Sequence, residues 1–524
     1  MRRIGIDVGG TNTDAVLIED GNVAGAVKAP TTPDVTGGIL DALARLAMTG
    51  VVKGKRIDAV MIGTTHFINA VVQRRWLTPV GALRIALPAC ASLPPFCDWP
   101  EDLAAVVNGA VAMVEGGHEY DGRPFMPLDT AAVRRAAREF RDRGIRSVAV
   151  SAIFSPLDPR HEREAAAILE EEIPGVAVTL SSDLGRIGLL ERENAALLNA
   201  ALADLSRKTI AAFERAIADS GLSAPLYITQ NDGTVAEAAQ AMRLPVYSFA
   251  SGATNSMRGA AYLSGIADAM VADVGGTTTD VGQIRHGFPR EANAVVKIGG
   301  VRTLFRMPDL FSFGLGGGSH VSLDPLGVGP LSVGYRLTQD ALAFGGAQLT
   351  ASDVGIAAGL LAIGDRDKIG HLDEATCRRV LDRVRVMIEE SVDRMKTEAA
   401  DVVLLAVGGG AFLVPDALEG VSEVVRVPNG DCANAVGAAI AQVSGEVDQV
   451  FRDVSREEAI AVAERLSAER ATAAGADPGT LRVIETEDIP IAYLPGNARR
   501  VRVRCIGDVA SALRERSSAT VGGA

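Results

Sequence analysis

Asp7-Val8-Gly9-Gly10-Thr11-Asn12-Thr13-Asp14 lies near the start of the chain, and Asp273-Val274-Gly275-Gly276-Thr277-Thr278-Thr279-Asp280 repeats it in the second half. Both copies run on to an isoleucine (Ile18, Ile284) and then a turn glycine (Gly21, Gly287) at the same offsets. Arg3-Ile4-Gly5-Ile6 precedes the first copy and Met270-Val271-Ala272 the second. Each copy therefore reads as an apolar strand, a tight Gly-Gly turn and a second strand, a β-hairpin. Paired glycines let backbone N–H groups curl around an anion without Cβ interference. The threonine hydroxyls add donors, and the leading aspartate can hold a divalent cation through water. An ordinary hairpin explains one copy equally well. Two copies in matching register favour the anion cradle and a duplicated architecture.

The 524 residues are too many for one ordinary core, so two or three domains are expected. With 48% hydrophobic and 22% charged residues the chain reads as globular, not disordered. A net charge of −13 argues against nucleic acid or an anionic membrane as partner. ATP is not excluded, because backbone donors and Mg²⁺ would bind its phosphates. The five cysteines (Cys90, Cys97, Cys377, Cys432, Cys505) form no CxxC pair and no zinc spacing, which suggests reduced thiols. The first strand starts by residue 3 and no apolar run approaches the ~20 residues of a membrane helix, so a cytoplasmic protein is expected.

Along the chain, 33–48 reads as a helix with Asp34 as cap. A strand over 57–62 leads into Gly63-Thr64-Thr65-His66 at the start of a helix over 67–75, where a phosphate or carboxylate would be favoured. Simple capping by Thr64 or Thr65 competes with that reading. Prolines 88, 94, 95, 100, 124 and 127 mark 80–130 as a loop-rich insertion in a second α/β region. A basic helix over 128–143 with a solvated face, a strand over 147–154 and a helix over 159–172 follow. One long helix is expected over 188–217. Asp183, Glu191 and Asn194 near it read as surface salt-bridging groups. A strand over 226–229 ends in Gln230-Asn231-Asp232-Gly233, and another over 247–250 ends in a polar turn, Ser251-Gly252-Ala253-Thr254-Asn255.

After the second hairpin, Gly314-Leu315-Gly316-Gly317-Gly318-Ser319-His320 reads as a buried, ligand-facing loop flanked by Phe311, Phe313 and Val321. Arg302 and Arg306 could meet a carboxylate or phosphate, or pair with Asp309. An amphipathic helix over 375–397 carries Val380, Leu381, Val384, Met387, Ile388 and Val392 on one face. A strand over 402–407 breaks into Gly408-Gly409-Gly410-Ala411, and 427–428 and 434–439 close this half. The remainder reads as a helix over 456–474, strands near 481–485 and 498–506, and a disordered end over 520–524.

These stretches together resemble the hydantoinase/oxoprolinase A-type family, within the superfamily of actin-like ATPases, sugar kinases and heat-shock chaperones. The carrying stretches also include Ile68-Asn69-Ala70, 151–162, 181–199, 301–319 and 406–415, and cover most of 1–440. The resemblance implies an α/β fold of duplicated actin-like (ribonuclease H-like) lobes around a nucleotide cleft, with a small C-terminal α+β appendage. The division it suggests is 1–79 (first lobe), 80–250 (inserted second α/β region), 251–444 (second lobe) and 445–524 (appendage).

The activity it implies is ATP-dependent opening of a cyclic amide or imide such as a hydantoin or 5-oxoproline. On that model Asp7 and Asp273 are catalytic and hold Mg²⁺, directly or through water. Gly9, Gly10, Thr11, Thr13, Gly275, Gly276, Thr277 and Thr278 cradle phosphates, and Gly408, Gly409 and Gly410 pack against adenosine. Thr64, Thr65, His66, Asn69, Gly317, Gly318 and Ser319 are candidate substrate contacts, while Asp14 and Asp280 fix the hairpins. No Ser-His-Asp or zinc-hydrolase pattern competes, since the six histidines are scattered. Relatives usually carry a Ser-Gly-Pro-Ala-Gly-Gly type turn where this chain has Thr254-Asn255-Ser256, which suggests a different substrate. Typical A-type chains are longer, and many work with a B-type subunit. A small-molecule kinase, an ATP-dependent carboxylase subunit and a nucleotide-switched activator stay open as alternatives, as does a homo-oligomer.

Overall fold

The computed structural model describes residues 1–510 except 10–11, 33–34, 186, 293–294 and 493–495. Both expected hairpins form, in the same register. Arg2–Val8 pairs antiparallel with Asn12–Glu19, so that Asp7 lies opposite Asp14. Ala269–Val274 pairs in the same way with Thr279–Arg285, so that Asp273 lies opposite Asp280. On its other side each first strand takes a parallel partner, Ala59–Thr64 and Val402–Val407 respectively. Strands buried on both faces need continuous apolar runs, and Ile4, Ile6, Val271 and Val274 are all fully or nearly inaccessible.

The first hairpin belongs to a nine-stranded sheet and the second to a six-stranded one. A third sheet of four parallel strands has the order Asn108–Glu115, Val80–Leu87, Ser147–Ala152, Ala177–Leu180. It stands where the prolines suggested loops. Prolines 88, 94, 95 and 100 occupy the turns over 88–100, and 124 and 127 follow the strand Asn108–Glu115, while Val80–Leu87 is buried sheet. The expected C-terminal helix (Arg456–Ala473) and strands (Arg482–Pro490, Arg499–Gly507) form, but they do not stand apart. A strand that sequence reading missed, Gln442–Phe451, runs parallel to Thr234–Glu237 and carries them into the first sheet.

Other local expectations change for identifiable reasons. The long helix is two, Leu189–Ala201 and Ala203–Asp219, where the Ala201 carbonyl accepts from the Thr78 N–H at 2.9 Å. Asn194 is buried, not a surface group, and accepts from the Trp99 indole at 2.7 Å. The segment over 247–250 is no strand: a 3₁₀ turn, Pro245–Ser248, enters the helix Ser251–Ser264. Thr254, Asn255 and Ser256 thus sit buried inside a helix instead of on a turn. Glu374–Met395 forms as expected, and the basic face of Thr130–Asp142 pairs with Glu171 and Glu172 at the surface. The capping residue Asp34 and the end over 520–524 lie outside the described residues.

Two short helices bring the halves together. Ser251–Ser264 and Ala433–Ala439 cross almost backbone to backbone. A Cβ on Gly259 would lie 2.0 Å from the Ala433 carbonyl oxygen, and one on Gly437 would lie 1.8 Å from that of Asn255. Gly5, in the first strand, meets the same helix, its added Cβ 2.0 Å from the Ala435 oxygen. No side chain fits at these three points. Gly259→Ala is expected to cost about 2 kcal/mol or more by overpacking, read as a lower urea midpoint. Unchanged stability would show that the crossing can spread at no cost.

Candidate functional site

The two hairpins bring their leading aspartates near enough for the Asp273 charge to act on Asp7. Gly9 N–H donates to the Asn12 carbonyl at 3.1 Å and Gly275 N–H to that of Thr278 at 2.9 Å, so the two tips close alike. Gly276, Thr277 and Thr278 are exposed at the second tip. Thr13 departs from its expected role, because it is fully buried with its hydroxyl 3.3 Å from that of Thr31. Its counterpart Thr279 donates to the Leu315 carbonyl at 2.8 Å. Gly10 and Thr11 lie outside the described residues.

Each aspartate lies over a glycine at the end of the neighbouring parallel strand. A Cβ on Gly63 would sit 3.1 Å from Asp7 Oδ1, and one on Gly408 would sit 2.4 Å from Asp273 Oδ1. Gly408 also needs its positive φ of 86°. Gly410 N–H donates to the Val274 carbonyl at 2.7 Å, whereas Gly409 has open space where a Cβ would stand. The loop over 314–319 is buried as expected but serves as a backing for the second tip. Gly317 and Gly318 donate to the carbonyls of Gly275 and Gly276 at 3.0 and 2.8 Å, and Ser319 Oγ accepts from Gly316 N–H.

The helix pair adds a crosswise arrangement that sequence reading missed. Asn434, from the helix that closes the second half, donates to Asp7 Oδ2 at 3.3 Å. Ser256, from the helix that precedes the second hairpin, lies beside Asp273, although its hydroxyl makes no hydrogen bond of ordinary geometry. Lys28 was missed too: it donates to Asp14 Oδ2 at 2.8 Å and to the Asp431 carbonyl at 2.5 Å. The only sequence signal for these residues was a polar side chain standing among alanines and glycines.

Burial pushes Asp7 up to about 7, reinforced by the charges of Asp14 and Asp273 and opposed by Asn434 and Lys28. Asp273 is pushed up to about 6, again chiefly by burial; Asp280 and Asp14 add to the rise, while Ser256 and Lys28 oppose it. Neither carboxylate has an ion-pair partner within 4.0 Å among the described residues. Asp14 and Asp280 are also raised by burial, yet each has its own partner, Lys28 and Ser312.

No group of three or more His, Cys, Asp or Glu side chains among the described residues is arranged to hold a metal directly. Two uncompensated carboxylates, with the unpaired buried oxygens of Asn255 and Ser256 nearby, suit a hydrated hard cation held largely through water.

The substrate candidates fall in two places. Thr64, Thr65 and His66 adjoin the start of the helix Ser251–Ser264, where Ser251 Oγ donates to the Thr64 carbonyl at 3.3 Å. Asn69 is exposed one turn on and bonds Thr65 Oγ1 at 3.3 Å. Thr64 caps locally, its hydroxyl accepting from His66 N–H at 3.2 Å. Gly317, Gly318 and Ser319 back the second tip instead. Arg302 and Arg306 are not free for an anion. Arg302 pairs with Glu191, Arg306 with Glu291, Glu446 and Glu485, and Asp309 belongs to Arg290. All five cysteines are free, and no described helix is long and apolar enough to cross a membrane.

The fold and site define a mixed α/β protein of several sheets with two acidic hairpins in one register. A model of the hydantoinase/oxoprolinase N-terminal region matches residues 3–173, and the hydantoinase/oxoprolinase model matches 192–384. The chain belongs to the hydantoinase/oxoprolinase family. It is 28% identical to the caprolactamase subunit alpha of Pseudomonas jessenii, over 78% of this chain and 62% of that one. It is 29% identical to the acetophenone carboxylase gamma subunit of Aromatoleum aromaticum, over 69% of this chain and 53% of that one. The chain thus spans between about half and two thirds of these relatives. Among solved structures, the ATP-dependent caprolactamase of Pseudomonas jessenii superposes with a TM-score of 0.73 at 20% identity, covering 97% of this chain and 88% of that one. Nucleotide-free acetone carboxylase gives 0.69 at 18% identity with the same coverage.

Burial of Asp7 has a measurable consequence. Its folded value near 7 lies above the ~4 of an unfolded aspartate, so the folded state loses stability as pH rises from about 4 to about 7. In nucleotide-free protein, Asp7→Asn is expected to raise stability at pH 8 by on the order of 2 to 4 kcal/mol. That gain should vanish near pH 4. Urea midpoints across this range check it, and parallel curves for the two proteins would refute it.

Proposed function

We propose that the chain is the ATP-using part of an enzyme that activates a cyclic amide or imide by phosphorylating its carbonyl oxygen. An amide is a poor electrophile. Moving the γ-phosphoryl group of ATP to its oxygen gives an electrophilic imidate phosphate and ADP. Water adds to its carbon, and the ring C–N bond breaks with the nitrogen leaving as the protonated amine. Hydrolysis of the acyl phosphate so formed releases phosphate and the ring-opened carboxylate. The observation that carries this reading is the pair of hairpins in identical register, each with a leading aspartate that desolvation holds well above the usual carboxylate range. Two actin-like lobes around a nucleotide would place the tips on its phosphates.

In this reading the tip N–H groups and hydroxyls of Gly10, Thr11, Gly276, Thr277 and Thr278 cradle the β- and γ-phosphates, while Gly9 and Gly275, whose N–H groups close the tips, let the phosphates approach the backbone. Asp7 and Asp273 would hold a hydrated Mg²⁺, which neutralises phosphate charge when bound. Asn434 orients Asp7, and Gly408 leaves room for the Asp273 carboxylate. Gly409, open on its outer side, lets the nucleoside approach the backbone closely. Thr64, Thr65, His66 and Asn69 face the substrate, with 317–319 holding the second tip in place.

The name of the caprolactamase relative supports the ring-opening reading. Resemblance to subunits of acetophenone and acetone carboxylases favours a second one, in which the same site phosphorylates a ketone or bicarbonate before carboxylation. Those relatives are named as subunits, so a B-type partner is part of the proposal.

Purified protein with ATP and Mg²⁺, screened against hydantoins, 5-oxoproline, cyclic imides and lactams, should release phosphate in step with ring-opened product. Asp7→Asn and Asp273→Asn should each lower the rate by about a hundredfold or more. Substrate-independent phosphate release that survives in both variants would sink the proposal. Stimulation by ketone plus bicarbonate alone would select the carboxylase reading.

A further inference from the structure

Trp76 is an exposed indole with its backbone in an unusual conformation. It is 66% exposed, whereas Trp99, the second of the chain's two tryptophans, is 7% exposed and bonded to Asn194. The φ of Trp76 is +56°, and Arg74, two residues earlier, has φ +54°. Bulky residues seldom occupy the left-handed region, and strain of this kind persists only where the surroundings hold it. Here Arg74 does the holding. Its guanidinium donates to Asp102 at 2.8 Å, to the Gly299 carbonyl at 2.9 Å and to the Val71 and Val72 carbonyls at 3.1 Å.

The segment after the helix His66–Gln73 therefore turns back, and the Trp76 ring reaches the helix start. Its centroid lies 6.1 Å from that of His66, with the two planes inclined by only 30°. Burial keeps His66 below its ordinary value, so the imidazole is neutral at pH 7. His66 follows Gly63, the glycine beside Asp7, by three residues, and Thr65 between them touches the Ser251–Ser264 helix at Gly252.

We propose that Trp76 and His66 form an aromatic wall of the substrate site. The wall takes a small molecule whose reacting amide, imide or ketone carbonyl is attached to a flat or cyclic apolar body. This inference rests on the function proposed above and adds a residue and a substrate preference to it. The ring lies on the indole, and the carbonyl points past His66 toward Asp7. A neutral imidazole under the indole fixes its tilt without adding charge, so the surface is oriented before ligand arrives. Trp76 determines specificity and takes no part in the chemistry.

The chain supplies its own reporter, because Trp76 is its one exposed tryptophan. Titrating hydantoin and 5-benzylhydantoin into the protein with Mg²⁺ and a non-hydrolysable ATP analogue should change the tryptophan emission, more strongly and at lower concentration for the benzyl compound. Trp76→Phe should abolish the change while keeping the aromatic face. Under turnover, Trp76→Ala should raise KM for the benzyl compound about three- to tenfold with kcat little altered, and change KM for hydantoin less. A Trp76 emission that ignores every ring-bearing compound would overturn the wall, as would a KM indifferent to Trp76→Ala. Failure of the parent reading looks different: no compound stimulates phosphate release, whatever the emission does.

Discussion

The backbone contact between Ser251–Ser264 and Ala433–Ala439 is the constraint on which the site depends. Helices with ordinary side chains keep their axes 8–10 Å apart. At Gly259 and Gly437 there is no side chain to hold them off, and Gly5 lets the first strand press against the same pair. The crossing therefore settles more than packing. It carries Asn434 from the second half of the chain to Asp7 in the first sheet. It also sets Ser256, from the helix ahead of the second hairpin, beside Asp273. Asp7 is thus attended by a residue from the other half of the chain, and Asp273 by one from the helix that leads into its own hairpin. A shift of one helix along the other would disturb both carboxylates together.

Burying two carboxylates without a cation of their own works against stability, and the surrounding design makes clear which charges are neutralised. Asp14 has Lys28, and Arg302 and Arg306 are paired with glutamates elsewhere. Asp7, Asp273 and Asp280 have only neutral hydrogen-bonding neighbours, Asp280 the Ser312 hydroxyl, and none of the three has an ion-pair partner within 4.0 Å among the described residues. Structural ion pairs would be completed during folding. Carboxylates left uncompensated, next to unpaired buried oxygens, are better explained as groups that await a charged ligand.

Legibility in the sequence followed the range of the interactions. The hairpins were readable because strand, Gly-Gly turn and strand are local, and because the repeat fixed their register. Glu374–Met395 was readable from its periodicity. Sheet membership was not. Gln442–Phe451 lies beside Thr234–Glu237, some two hundred residues away, and nothing in either segment announces that pairing. Proline density misled at 88–100 because prolines in the turns hid the short buried strands they connect. Within the site, the motif pointed to Asp7 and Asp273 as candidates, but nothing local pointed to Lys28 and Asn434, which meet them only once distant segments come together. Thr13 lies buried beside Thr31, because the strand is covered on both faces right up to the tip.

The C-terminal strands tie the second half of the chain to the first sheet. Arg306, from the segment after the second hairpin, pairs with Glu446 and Glu485, and Arg502 and Arg504 reach back to Glu291 and Asp232. These groups are mostly buried, so much of the attraction offsets desolvation, and the network adds little net stability. Its effect is geometric. Guanidinium forks bind carboxylates in fixed planes, so the second sheet's following segment is locked in register with the edge of the first sheet. Arg258 links this network to the helix crossing. It lies over the Phe288 ring at 4.3 Å, and Phe288 is also faced by Arg504. One helix therefore carries Ser256 at the site and Arg258 at the network, two residues apart. That helix therefore ties the position of Ser256 beside Asp273 to the position of Arg258 in the network.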